Sequence, residues 1–240
     1  MPSEPWILII PAFNEAKNLA RVLTTVTSTG LDFESVVIDD GSLDDTGAVA
    51  ARSGATVIRH PFNLGYGAAL QTGYKYALDR HASLLVQMDA DGQHDPREIP
   101  ELIAPVLRQE LDLVVGSRFI EPTDYRMGLA RRIGRELFSG LARLNGLKVS
   151  DPTSGFQAMN RTTLRLYGRD FFPTDYPDVD VLLTAHRHGL RVGEHSVRMS
   201  PGVRSSRLHS GSRAVYYVYK MLLSTWTAST SRRRRKENGP

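Results

Sequence analysis

Three aspartates crowd into one short stretch, LLVQMDADGQHDP (84–96), and carry the first chemical suggestion in the chain. The unbroken apolar run reads as a strand covered on both faces, as in parallel sheets. Asp-Gly and Asp-Pro mark its end. Alternate residues of an extended chain point the same way, so Asp89 and Asp91 can aim two carboxylates at one point just past the strand. Paired oxygen ligands of that kind suit a hard divalent cation. A polar turn that only caps the strand would use the same residue types. The spacing does not make a calcium loop, because counting from Asp89 the glycine is fourth and the twelfth residue is Pro100, not a glutamate.

Other polar motifs raise similar choices. In PAFNE (11–15), Pro11 ends an apolar run and Glu15 is placed to meet a base or ribose, while Asn14 is a natural cap for a following helix. Asp39 or Asp40, directly after SVVI, can accept a hydrogen bond from a pyrimidine N–H, with Ser42 or Asp44 as helix caps. HPFNLGYGAAL (60–70) has Gly65 and Gly67 before a helix, but Leu70 fills the third position of a dinucleotide fingerprint. GSR (116–118) puts the Arg118 guanidinium just past another buried run, and Arg131, Arg132 and Arg135 follow in a helical setting. Such forks suit phosphate oxygens, although exposed helix arginines also make an ordinary solvated face. DPTSGF (151–156) is a rigid turn whose Ser154 and Gly155 can present N–H groups. Asp178 and Asp180 sit where a helix dipole also favours carboxylates.

These motifs need a scaffold, and the chain supplies one. Apolar runs at 6–10, 35–38, 55–58, 84–88 and 111–116 alternate with helical patterns at about 15–29, 44–53, 66–80 and 97–109. That alternation predicts a mostly parallel central sheet with helices on both faces, whose ligands bind beyond the carboxyl ends of strands. Four of the motifs follow strands. Farther on, the spacing predicts helices near 126–146 and 178–188 and a short strand within 189–199.

Composition narrows the setting. The 240 residues, 41% hydrophobic, can bury one substantial core. With no cysteine, any metal must use oxygen or imidazole ligands. The net charge of +4 is a tail property: RRRRKE (232–237) holds five of the 30 bases and one of the 26 acids, which leaves 25 of each. A neutral body gives no reason to expect a nucleic-acid partner. The start lacks a basic leader and a cleavage site, and no run approaches the roughly 20 apolar residues that span a bilayer.

Taken together, PAFNE, DDGS, NxGYGAA, DADGQH, GSR and DPTSGF occur in the order and spacing of glycosyltransferase family 2. The resemblance covers roughly residues 6–200 and is closest to the branch of dolichol-phosphate mannosyltransferase and bacterial polyprenyl-phosphate glycosyltransferases. It implies a nucleotide-diphospho-sugar transferase (GT-A) fold and an inverting transfer of a hexose from a nucleotide sugar to a lipid phosphate. Transfer to a sugar or natural-product hydroxyl is the alternative, and a non-catalytic nucleotide-sugar-binding protein is the rival of another class. By resemblance, Pro11, Phe13, Glu15, Asp39 and Asp40 contact the nucleotide sugar, joined by Gly67, Asp89 and Ala90. Asp89, Asp91 and Gln93 would hold Mg²⁺ or Mn²⁺. Arg118 and Arg131 would meet phosphates, and Asp178 or Asp180 would serve as base toward a hydroxyl acceptor. One departure stands out: relatives carry an arginine where SPGVRSSRLHSGS (200–212) has Gly202, with Arg204 or Arg207 as substitutes. The expected organisation is a catalytic domain at 1–211, an amphipathic helix at 212–228 suited to the membrane interface, and a basic disordered tail at 229–240. Peripheral contact with the cytoplasmic face of a membrane would bring such a site to a lipid acceptor.

Overall fold

The structure, a computed structural model, describes residues 4–120, 129–175 and 177–198. The first half alternates strand and helix: β1 (Trp6–Ala12), α1 (Ala16–Ser28), β2 (Phe33–Asp39), α2 (Thr46–Arg52), β3 (Thr56–Arg59), α3 (Tyr66–Asp79) and β4 (Leu84–Gln87). A 3-10 turn at Pro96–Glu98 leads into α4 (Ile99–Leu107) and β5 (Leu113–Ser117). Then come α5 (Leu129–Leu144), β6 (Gln157–Asn160), α6 (Arg161–Tyr167), α7 (Val179–Arg187) and β7 (Val192–Ser196).

The strands form one seven-stranded sheet in the order β3-β2-β1-β4-β6-β5-β7. Pairing is parallel except for β6, which runs against both β4 and β5. Side chains alternate between two apolar layers, as the period of a strand requires. Ile7 and Ile9 face a layer shared with α3, α5, α6 and α7, while Leu8 and Ile10 face α1, α2 and α4. The helices follow the same logic: Leu19, Val22, Leu23 and Val26 of α1 recur at the spacing of one helical face and are all buried. Each such side chain contributes about 1.5–3 kcal/mol by leaving water.

The order of strand addition reverses between the parallel β1 and β4, because β2 and β3 lie to one side of β1 and later strands to the other. That is the topological switch point, where a crevice opens at the carboxyl rim. Every predicted strand and helix within the described residues is present, with ends displaced by a few residues. Pro11 does not end β1, which continues to Ala12. The Ile9 carbonyl accepts from Met88 on the β4 side and the Ala12 carbonyl from Asp40 on the β2 side. Pro11 therefore faces the β4 side beyond the last β4 pair, where its missing N–H costs no ladder bond. Strand β6 is unanticipated: its four residues, QAMN, lack the β-branched signature. Gly202, Arg204, Arg207 and the segments at 212–228 and 229–240 lie outside the described residues. Among the described residues, no helix is long and apolar enough to cross a membrane.

Gly67, at the start of α3, marks a close approach that only glycine permits. A Cβ there would sit 2.1 Å from the Pro173 carbonyl oxygen, and the neighbouring Ala68 N–H donates to the Thr174 carbonyl. Backbone meets backbone, so neither side can yield cheaply. Gly67→Ala is expected to lower stability by about 1–3 kcal/mol in urea unfolding. Gly140→Ala, a helical position with open space around it, is expected to be neutral or to stabilise by up to about 1 kcal/mol.

Candidate active site

The carboxyl ends of β1 and β2 are stitched together by their loops. Asn14, with φ of 57°, donates its N–H to Ser42 Oγ and accepts at Oδ1 from the Leu43 N–H. Glu15 N–H donates to Thr46 Oγ1, and Ala16 N–H to Asp44 Oδ2. The first turn of α1 is thus satisfied by the neighbouring loop, not by a side-chain cap from Asn14.

Two adjacent aspartates at the end of β2 do different work. Asp39 is fully buried; Oδ1 accepts from the Ser42 N–H, while Oδ2 lacks a hydrogen-bond partner and lies 3.5 Å from Arg59 Nε. Asp40 organises the next loop. Its carboxylate accepts from the Leu64 and Gly65 N–H groups and pairs with His60 Nδ1 at 2.7 Å. Those bonds fix the residues that lead into Tyr66, the first residue of α3.

Tyr66 then reaches the loop after β4. Its hydroxyl donates to Asp89 Oδ1 at 2.9 Å, and His94 Nε2 lies 3.3 Å from Asp89 Oδ2. Gly155 closes the third side, since a Cβ there would stand 3.0 Å from both carboxylate oxygens and 2.7 Å from the Tyr66 hydroxyl. The His94 ring is buried against Phe156, with centroids 4.9 Å apart, and its Nδ1 has no hydrogen-bond partner. Asp91 accepts from the Gln93 N–H at 2.9 Å. Ala90, between the two acids, is buried, while Phe13 at the end of β1 keeps 40% of its surface exposed.

The electrostatics of the two acids diverge. Desolvation would raise the Asp89 pKa, but the hydrogen bond and charge of His94, with Tyr66 and Arg118, outweigh it and hold the carboxyl below its ordinary value. Asp91 is pushed up, first by desolvation, then by the Asp89 charge, with a further contribution from Glu15. Desolvation, followed by the Asp89 charge, raises the Tyr66 phenol well above its ordinary value, so it acts as a donor. Among the described residues, no group of three or more His, Cys, Asp or Glu is arranged to hold a metal by itself. Two carboxylates with substrate oxygens and water completing the sphere are nonetheless a fitting donor set for Mg²⁺, or for Mn²⁺ as another oxygen-seeking cation. A cation there would relieve the repulsion that Asp91 feels.

Arg118, after β5, is engaged bidentately by buried Asp151, with Nε and Nη2 each 2.6 Å from a carboxylate oxygen. Glu194 of β7 accepts from the Asp151 N–H and the Ser150 hydroxyl, so DPTSGF is tied to both β5 and β7. Within that turn, the Ser154 N–H is spent on the Asp151 carbonyl. Arg131 belongs to α5, and its side chain lies outside the described residues. Asp178 and Asp180 separate: Asp178 lies near enough to Tyr66 to raise its phenol, whereas Asp180 is buried and accepts from the Asp178 and Val181 N–H groups. The charge of Asp180 acts on Tyr167 in the core, after desolvation, instead.

The motifs from β1, β2, β4 and β6 therefore converge on one rim. Tyr66 and His94 went unassigned in the sequence because a lone tyrosine or histidine carries no spacing signal. The one available hint was that both stand inside recognised motifs. Asp151→Ala would leave a guanidinium that is 12% exposed without its carboxylate. The expected cost is about 3–5 kcal/mol by chemical denaturation. The penalty of pairing it with Arg118→Ala should be well below the sum of the single losses.

Comparison with known proteins places this rim in a family. Residues 7–168 match the family described as Glycosyl transferase family 2. The chain is 29% identical to a UDP-N-acetylglucosamine--dolichyl-phosphate N-acetylglucosaminyltransferase of Methanococcus voltae, covering 80% of this chain and 84% of the relative. It is 31% identical to an undecaprenyl-phosphate mannosyltransferase of Micrococcus luteus, covering 78% and 80% respectively. In fold it is similar to glucosyl-3-phosphoglycerate synthase of Mycobacterium tuberculosis, solved with Mn²⁺ and UDP-glucose, at TM-score 0.69 and 24% identity, over 95% of this chain and 79% of that one. The chain belongs to glycosyl transferase family 2 and is a glycosyltransferase with the mixed α/β, GT-A architecture.

Proposed function

We propose that this enzyme transfers a hexose from a nucleoside-diphosphate sugar to a polyprenyl phosphate, with a divalent cation held by Asp89 and Asp91 and assisted by Gln93. The observation that carries the reading is the pair of carboxylates at the switch-point rim, Asp89 held by the Tyr66 hydroxyl and His94 and Asp91 by the Gln93 N–H. The relatives from Methanococcus voltae and Micrococcus luteus support the acceptor class through the lipid phosphates in their names, and their different sugars leave the hexose open.

When bound, the cation supplies Lewis-acid stabilisation of the negative charge that develops on the departing diphosphate. The remaining roles fall to side chains. Pro11, Phe13, Glu15, Asp39 and Asp40 line or shape the nucleotide end, with Gly67 and Ala90 allowing close approach. Asp39 is the proposed acceptor for a base N–H, with Arg59 beside its Oδ2. Arg118, locked by Asp151, contributes a fixed positive charge that Asp89 already feels, and Arg131 is the proposed second phosphate contact. A lipid phosphate is already largely ionised near neutral pH and needs no base.

A hydroxyl acceptor would need one, and the two candidates are then unequal. Asp180 is committed to its own helix terminus, so Asp178, beside Tyr66, is the better placed. The segment after β7 is proposed to form the acceptor side, with Arg204 or Arg207 as its phosphate contact and residues 212–228 resting on the cytoplasmic face of a membrane.

The test is nucleoside diphosphate release from a panel of nucleotide sugars with Mn²⁺, with and without a short polyprenyl phosphate. Release is expected to depend on the lipid phosphate, and Asp91→Ala should lower kcat at least about 100-fold. Asp178→Asn should leave turnover close to wild type. Release that requires a sugar hydroxyl and collapses in Asp178→Asn would move the acceptor to the alternative class, and donor binding without release under any acceptor would make the protein a binder.

A further inference from the structure

Tyr66 comes from the NLGYG loop, a motif without an acid or a base, yet its hydroxyl ends on Asp89. Three segments far apart in sequence meet on that carboxylate: Tyr66 on Oδ1, His94 on Oδ2, and the bare Cα of Gly155 against both. We propose that Tyr66 is a positioning residue for the metal-binding carboxylate, holding Asp89 in one rotamer for the arriving cation and diphosphate. The inference rests on the reading that Asp89 and Asp91 hold the cation.

The geometry behind Tyr66 explains why it can do this. The Asp40 carboxylate grips the two N–H groups immediately before it, and the Thr174 carbonyl accepts from the Ala68 N–H just after it. Tyr66 is therefore anchored on both sides by backbone hydrogen bonds, while the residue itself stays 37% exposed. A donor on such a mount fixes the direction of the lone pairs it does not use. Orientation of a ligand by an outer hydrogen bond typically changes metal affinity 10–100-fold. Gly155 serves the same end by exclusion: a side chain there would push on the far ends of Asp89 and Tyr66, which can move, so the disturbance falls on the site and not on the fold.

The experiment measures Mn²⁺ binding to the nucleotide-free protein by water-proton relaxation, alongside melting temperature and steady-state kinetics. It compares wild type, Tyr66→Phe, Gly155→Ala and Asp91→Asn. Tyr66→Phe and Gly155→Ala are each expected to bind Mn²⁺ about 10-fold more weakly, with melting temperatures near wild type and the loss in turnover falling on kcat more than on the donor KM. If Asp91→Asn weakens Mn²⁺ binding but Tyr66→Phe does not, the positioning role is overturned and the metal reading stands. If Tyr66→Phe retains full Mn²⁺ affinity and raises only the donor KM, the hydroxyl serves the donor and the proposal is likewise wrong. Asp91→Asn with unchanged Mn²⁺ binding would remove the metal reading itself.

Discussion

The antiparallel pairing of β6 between β4 and β5 determines what the carboxyl rim contains. Parallel strands deliver the residues that follow them to that rim, whereas an antiparallel strand delivers the residues that precede it. Gln157, the first residue of β6, pairs with Gln87, the last of β4. The turn before β6 is thereby laid against the loop after β4, and Gly155 touches Asp89. A register slip of one residue would turn Ala158 and Met159 to the wrong layers, so the two apolar cores pin the site as firmly as its own hydrogen bonds do.

Buried carboxylates are costly unless paired, and this fold uses them chiefly as organisers of loops. Asp40 collects two backbone N–H groups and a histidine, Asp151 collects a guanidinium, and Asp180 collects the Asp178 and Val181 N–H groups. Each removes donors that would otherwise be stranded where chain leaves a strand and enters a helix. Asp89 and Asp91 differ because, among the described residues, no arginine hydrogen-bonds to either. Their hydrogen-bond partners are a phenol, a histidine and a backbone N–H, which orient the oxygens. Charge left over at a rim where a nucleotide-sugar diphosphate would arrive is the electrostatic condition for recruiting a cation.

Much of this was legible in the sequence. Short apolar runs separated by helical periods fix the parallel sheet, and polar motifs after strands fix the rim, because both depend on local period and order. The acid pair was visible as a motif, but its extended-chain rationale does not hold: β4 ends at Gln87, and Ala90 and Asp91 lie in a turn. What could not be read was every relation across the fold. QAMN has no strand signature and becomes a strand only because β4 and β5 leave a gap of one strand's width between them. The assignment of Arg118 to Asp151, of Asp180 to its helix and of Tyr66 to Asp89 required contacts spanning from one residue to tens of residues. Asp178 and Asp180 looked equivalent in DYPDVD, and only the position of α7 against the core set them apart.

Asp89, whose burial is outweighed by His94, Tyr66 and Arg118, and Asp91, raised by burial and then by the Asp89 charge, stand in unlike surroundings on one rim. A fold under selection for stability alone would not keep two carboxylates and a nearby glutamate where desolvation and mutual repulsion push one of them toward protonation. That strain comes from burial, because the apolar layer packed by α1, α2 and α4 reaches the rim through Met88, Ala90 and Phe156. It is also useful, since a divalent cation would bind most tightly where it relieves the most repulsion. Asp89 is held by Tyr66 and His94 and Asp91 by the Gln93 N–H, so the ordering entropy of both carboxylates is lost during folding and not at the moment of binding.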